Sequence, residues 1–306
     1  MSNPTSEALV TLGRWYVRNA PGTLAKAPLA DFLNPRLRDE PRRRVVGSAV
    51  GPRFAVDTQD LIQRYVYLFG VWEPRMTQWL KRRLRPGDTF VDVGANIGYF
   101  SVLASQLVGP EGKVVAIEAS RAFQDRLAQN ARLNGCTNIR AVHTAVSDKQ
   151  QTLTFILASS NNMGANSIVP YDGPAESTFD IEAFPLPDVL EEDEIAKARV
   201  IKVDVEGAEG SAVRGMAPLL DRLRPDAEIT VEVTPERMAQ LGDSVEELLE
   251  TMRGAGFHVY RLANEYAPAS YPAALSGASA VPVRWRGPVT GESDLIFSRI
   301  DAETLP

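Results

Sequence analysis

From Asp88 onward, short runs of valine and isoleucine alternate with helix-like stretches, and this alternation restricts the fold more than any other feature. TFVDV (Thr89–Val93), KVVAIE (Lys113–Glu118), NIRAVHTAV (Asn138–Val146), RVIKVDV (Arg199–Val205), EITVEV (Glu228–Val233) and FHVYRL (Phe257–Leu262) each read as a strand. Helical patterns at Ile97–Val108, Arg121–Asn134, Ala208–Leu223 and Ser244–Gly254 fall between them. Strands this continuously β-branched are buried on both faces, which predicts an α/β fold with a parallel sheet covered by helices. TLTFIL (Thr152–Leu157) reads as a strand off the main sheet. The polar stretch Ser159–Lys197 is expected to cover whatever site the sheet builds. DLIFSRI (Asp294–Ile300) is a last strand, reached through Ala263–Glu292 with no helix between.

Residues 1–87 follow a different pattern and read as an N-terminal helical and β extension, leaving 88–306 as the main domain. Ser6–Asn19 has helical spacing of Leu9, Leu12, Trp15 and Tyr16. Pro21, Pro28, Pro35 and Pro41 are expected to cut the following stretch into short pieces. Arg44–Val56 suggests a strand pair, and Leu61–Arg85 a helix broken at Pro74.

A net charge of −6 and a pI near 5.2 argue against a nucleic-acid or anionic-membrane partner. The basic runs PRRRV and KRRLR read as solvated flanks. Cys136 is the only cysteine, so no internal disulfide forms, and it is expected to pack as a small hydrophobe. No Cys/His cluster suggests zinc. With no signal-like start and no apolar run long enough for a membrane span, the chain is expected to be cytoplasmic. The apolar N-terminal helix is a candidate surface for a homo-oligomer.

The first strand runs into a sharp turn, Asp92-Val93-Gly94-Ala95-Asn96-Ile97-Gly98. Ligands of such sheets sit at the carboxyl ends of the strands, on this turn. Dinucleotide enzymes use G-x-G-x-x-G there, so that backbone can approach a pyrophosphate. Here Asn96 replaces the second glycine, and Asp92 precedes the turn. A carboxylate there repels phosphate and favours an ammonium or sulfonium. The D-x-G-x-x-x-G spacing therefore suits S-adenosylmethionine, which carries an amine, a carboxylate and a positive sulfur. Glu118, ending the second strand, is placed to accept hydrogen bonds from ribose hydroxyls. Ala145, within Thr144–Asp148, is expected to border the adenine, with Asp148 either there or capping a turn.

The second dense stretch is IKVDVEGAEG (Ile201–Gly210). Glu209, and in part Glu206, is explained by the dipole of the helix that follows. Asp204 at the end of a buried strand is not. Together, DTFVDVGANIGYF and IKVDVEGAE resemble the FkbM-type family of S-adenosylmethionine-dependent methyltransferases, and GVWEP (Gly70–Pro74) is similar to the family's pattern. The resemblance spans roughly Tyr65–Ile300. It implies a Rossmann-like seven-stranded methyltransferase sheet, mostly parallel with the last strand antiparallel. It also implies O-methylation of a hydroxyl on a sugar, glycolipid, or polyketide- or peptide-derived natural product, so that the partner is a small hydroxylated acceptor. By motif, Asp92, Gly94, Asn96 and Gly98 would hold the methionine end, Glu118 the ribose, and Asp204 and Glu206 the reacting centre.

An alcohol is a weak nucleophile, so a base or a metal should take its proton. Asp204 and Glu206 are the first candidates for the base, with His143 third. Asp204, Glu206 and Glu232 at adjacent strand ends are equally suited to Mg²⁺. His258 reads as structural. Trp72 and Glu73 have two readings: closure over the cofactor, or a core indole beside a helix-start acid ahead of Pro74. Two other functions stand beside the methyltransferase: an NAD(P)-dependent oxidoreductase and a non-catalytic cofactor-binding module.

Overall fold

The architecture comes from a computed structural model that describes residues 4–158, 166–167, 175–277 and 281–305. The extension opens with helices α1 (Pro4–Asn19) and α2 (Lys26–Asp39), the antiparallel pair β1 (Arg43–Gly47) and β2 (Arg53–Asp57), then α3 (Leu61–Phe69) and α4 (Pro74–Arg83). Contrary to expectation, Pro28 and Pro35 lie inside α2 and do not break it. Pro28 is in the first turn, where the missing N–H has no helical partner to lose. Ala30, Leu33 and Leu37 bury one face of the helix and hold it through Pro35.

The alternating region follows as β3 (Thr89–Val93), α5 (Tyr99–Val108), β4 (Lys113–Ile117), α6 (Arg121–Leu133) and β5 (Ile139–Val142). Next come the short strand β6 (Ala145–Val146), β7 (Gln151–Ala158), β8 (Asn166–Ser167) and β9 (Ala175–Phe184), then helices α7 (Leu186–Val189) and α8 (Glu192–Lys197). The chain re-enters the sheet as β10 (Ala198–Val203), α9 (Glu209–Met216), β11 (Glu228–Val233), α10 (Pro235–Gln240), α11 (Val245–Gly254) and β12 (His258–Leu262). It ends with α12 (Tyr271–Ser276), β13 (Val283–Arg284) and β14 (Ser293–Ser298).

The main sheet has the order β13-β12-β14-β11-β10-β3-β4-β5. Strands β11, β10, β3, β4 and β5 pair in parallel, while β14 inserts between β11 and β12, antiparallel to both. The expected seven strands with the last one reversed are therefore present, and the two-residue β13 adds an eighth at the edge. The expected third strand does not run through to Val146. It stops at Val142, and Ala145–Val146 pairs instead with β9 in a second sheet of order β6-β9-β7-β8. Thr144 marks the break, its hydroxyl donating to the Glu182 carbonyl at 2.6 Å. The stretch expected to be a polar cover thus contains β8, β9, α7 and α8; residues 159–165 and 168–174 within it lie outside the described residues.

Strand alternation divides the core. Phe90, Val114 and Val200 join a cluster with Val10, Leu33, Leu37, Phe54 and Trp79 of the extension. Val91, Val115, Ile201 and Val231 face the other way, against Val213, Met216, Leu249 and Met252. The extension and one face of the sheet thus share apolar contacts. Leu33 is fully buried in this shared cluster. Leu33→Ala is expected to cost about 2–5 kcal/mol and to move one cooperative denaturant transition seen both by tryptophan fluorescence and by circular dichroism. Two separated transitions would show that the extension unfolds on its own.

Candidate functional site

The carboxyl ends of β3 and β10 meet closely. Gly94 has φ 82°, and a Cβ there would come within 1.8 Å of the Asp204 carbonyl oxygen. Its glycine is demanded by backbone approach as well as by its dihedral angle. Gly98 has φ 78°, and a Cβ there would press on Leu127 of α6 at 2.7 Å. Asn96 also takes a left-handed conformation, with φ 51°; its Oδ1 accepts from the Ile97 N–H at 2.7 Å. With Asn96 and Gly98 both in this region, α5 begins at Tyr99 rather than at Ile97.

Beside this turn lies a cavity of about 340 Å³, within the range of small-molecule sites. One wall is Val93–Ile97, Glu118, Ala119, Phe123 and Thr144–Val146. The other carries Trp72, Glu73, Lys202, Asp204, Glu206, Glu232, Arg237 and Tyr266. Of the expected residues, Gly94, Asn96, Glu118, Ala145, Asp204, Glu206, Glu232 and Glu73 line one space. The Glu118 carboxylate accepts from the N–H groups of Asn96 (2.7 Å) and Ser120 (2.8 Å). Burial outweighs these bonds and raises its pKa to about 7.

Three expectations need correction. Asp92 does not face the cavity: it is buried beneath the turn, where it accepts from the Ser101 hydroxyl at 2.5 Å and ties α5 to β3. His143 is exposed outside the cavity, with Nε2 at 3.0 Å from the Ala119 carbonyl, because β5 has ended and its ring points away. Glu206 lines the cavity but is ion-paired with Arg237 and stands apart from the carboxylate group built by Glu73, Asp204 and Glu232. Of the two readings for Asp148, bordering the adenine is not met: it pairs with Arg214 at 3.4 Å and does not line the cavity. Glu209 accepts from the Gly207 N–H at 2.9 Å, as a helix-start acid should, and His258 lies away from the cavity, 2.6 Å from Arg284 Nη2.

Glu73 departs from the helix-start reading. It precedes α4 with φ 41° and makes no side-chain cap. Its carboxylate is buried, with Oε2 lacking a hydrogen-bond partner. One oxygen each from Glu73, Asp204 and Glu232 lie within 4.8 Å of one another. Tyr266 donates to Glu232 at 2.6 Å, and Lys202 Nζ donates to Asp204 Oδ2 at 2.7 Å. Burial, reinforced by neighbouring carboxylates, lifts Glu73 and Glu232 well above the usual carboxylate range. Burial disfavours the Lys202 ammonium, but Asp204, Glu73, Asp92 and Glu232 outweigh it and raise its pKa.

Sequence reasoning missed Lys202, Asp294, Tyr266 and Arg237. The first had a signal: a lysine inside the apolar run VIKV, on the same strand face as Val200. Tyr266 and Arg237 follow β12 and β11 with no local pattern to mark them.

Among the described residues, seven acidic side chains against two basic ones line the cavity. That donor set suits a ligand with an ammonium and a sulfonium, and Glu118 offers a carboxylate to ribose hydroxyls. The same set opposes a pyrophosphate. Asp294, buried on β14 near Glu73, is raised by burial to about 7, with Lys202 opposing. The folded protein therefore keeps this proton to a higher pH than the unfolded chain, and stability is lost as pH rises from about 4 to about 7. Asp294→Asn is expected to gain about 2–4 kcal/mol relative to wild type between pH 4 and pH 8, measured by urea denaturation. An unchanged difference across that range would refute the assignment.

Residues 92–259 match the methyltransferase FkbM domain. The chain is 28% identical over 213 residues to the methyltransferase sdnD of Sordaria araneosa, covering 60% of this chain and 79% of that one. It is 26% identical over 195 residues to the hexuronic acid methyltransferase AglP of Haloferax volcanii, covering 63% and 77%. A third match, 42% identical, spans only 55 residues, 18% of this chain and 11% of the length of the 23S rRNA (uracil(1939)-C(5))-methyltransferase RlmD of Psychrobacter arcticus. The matched segment takes in both strand-end motifs and the strands between them, and on this footing the chain belongs to the FkbM methyltransferase family, whose members depend on S-adenosylmethionine.

Proposed function

We propose that the chain methylates a hydroxyl of a small molecule, a sugar, glycolipid, or polyketide- or peptide-derived natural product. The observation that carries this reading is the carboxylate group of buried Glu73 and half-buried Asp204 and Glu232, facing the same cavity as Glu118. The similarity to AglP, a hexuronic acid methyltransferase, supports a sugar-like acceptor. The surplus of acid in the cavity disfavours a polyanionic substrate.

S-adenosylmethionine, when bound, supplies an electrophilic methyl group on a positively charged sulfur. In this reading Glu118 accepts from the ribose hydroxyls, the backbone at Ala145 borders the adenine, and Gly94 and Asn96 shape the floor beneath the methionine portion. Asp92 and Gly98 act indirectly, by fixing the start of α5. Glu73 directs its partnerless carboxylate oxygen toward the positive end of the ligand. Asp204 is the base: it holds a carboxylate at the strand end and receives the proton of the acceptor hydroxyl. Tyr266 and Trp72 narrow the space around it and keep water out. Glu206, tied to Arg237, forms the rim on the acceptor side.

Calorimetry is expected to give micromolar binding of S-adenosylhomocysteine and none of NAD⁺ or NADP⁺; dinucleotide binding instead would overturn the cofactor assignment of the cavity. Asp204→Asn is expected to retain S-adenosylhomocysteine affinity while lowering turnover of a hydroxylated acceptor by about 10²–10⁴-fold. Turnover unchanged in that variant would remove Asp204 from the chemistry.

A further inference from the structure

Three acidic oxygens from Glu73, Asp204 and Glu232 gathered within 4.8 Å have the form of a divalent-cation site, and one of them, Glu73, has a buried oxygen without a partner. Oxygen ligands at this spacing are what Mg²⁺ or Mn²⁺ takes. Lys202 changes the meaning of the arrangement. Its side chain rises from the central strand β10 and is buried, with Nζ 2.7 Å from Asp204 Oδ2 and 5.1 Å from the centre of the Phe100 ring. The carboxylates that act on it come from four directions: Asp204 beyond β10, Glu73 ahead of α4, Asp92 on β3 and Glu232 on β11. The ammonium is rooted in a central strand among these carboxylates and is only slightly exposed where it lines the cavity. A metal ion at the three carboxylates would stand beside that fixed positive charge in a poorly solvated space, where repulsion is strong.

We propose that Lys202 is the resident cation of the site, a positioning residue whose ammonium orders Asp204, Glu73 and Glu232 in the role a divalent ion fills in other carboxylate clusters. Methyl transfer then needs no added metal. One ammonium leaves part of the acidic charge uncompensated, and the positive end of the bound ligand supplies the remainder. The proposal takes the site from the function proposed above, but its test reads metal binding and stands or falls separately from methyl transfer.

The test titrates Mn²⁺ into the full chain, with and without S-adenosylhomocysteine, and follows the free ion by electron paramagnetic resonance. Wild type is expected to leave Mn²⁺ free up to about 1 mM. Lys202→Met is expected to bind one Mn²⁺ per chain at least about tenfold more tightly than wild type, because removing the ammonium opens the cation position. Adding Glu73→Gln to Lys202→Met should abolish that binding, and Lys202→Arg, which keeps the charge, should behave as wild type. Tight binding of one Mn²⁺ by wild type, lost in Glu73→Gln, would overturn the proposal. So would a folded Lys202→Met protein that gains no site. Should Lys202→Met fail to fold, wild type and Lys202→Arg still decide between the two outcomes by their own titrations.

Discussion

The cavity exists because two strand ends touch without side chains between them. Gly94 sits against the carbonyl of Asp204, and a single methyl group at that position would force β3 and β10 apart. That contact puts the first turn and the acidic stretch after β10 on the same rim. Everything else at the site is arranged around it: Glu118 arrives one strand over, just past the end of β4, Glu232 one strand over on β11, and Glu73 from the extension. The parallel sheet supplies the alignment, since parallel strands bring their carboxyl ends to one edge.

Much of this was legible from residue types alone. The runs of Val and Ile gave the strands, and the acid placed after a buried strand marked Asp204 as unusual. Asp92 misled because its spacing before the glycine turn is that of a ligand-facing acid, while its actual partner, Ser101, is decided by how α5 packs on β3. His143 misled because NIRAVHTAV reads as one strand, and no local pattern announces that its last residues leave to pair with β9. Glu73 and Glu232 lie 159 positions apart in a chain of 306, so their meeting depends on strand order, which periodicity does not state. Lys202 was readable in principle, as a charge inside an apolar run.

Crowding acids into a desolvated space costs folding free energy, because each must either keep a proton or find a positive neighbour. Glu118 and Glu209 near 7 and the elevated Glu73 and Glu232 show the first solution. Lys202 on Asp204 and Arg237 on Glu206 show the second. The two solutions divide the site. Glu118 and Glu209 are held by backbone N–H groups; Asp204, Glu206 and Glu232 are held by side-chain cations and by Tyr266. A cationic ligand entering between them relieves a cost the empty protein already carries, so part of its binding free energy comes from the strain of the unliganded state.

The inserted strand β14 carries a consequence for how the protein is made. It fills the gap between β11 and β12, and it is synthesised after both. Until it arrives, β11 and β12 each present an open edge of unpaired amides and carbonyls, with apolar faces ready to accept a foreign strand. Asp294, on this strand, also completes the acidic surroundings of Glu73. A nascent chain therefore holds β3, β4, β10 and β11 while the acidic surroundings of Glu73 are still incomplete. The interval before β14 is made is when these edges are most exposed to association with other copies of the chain.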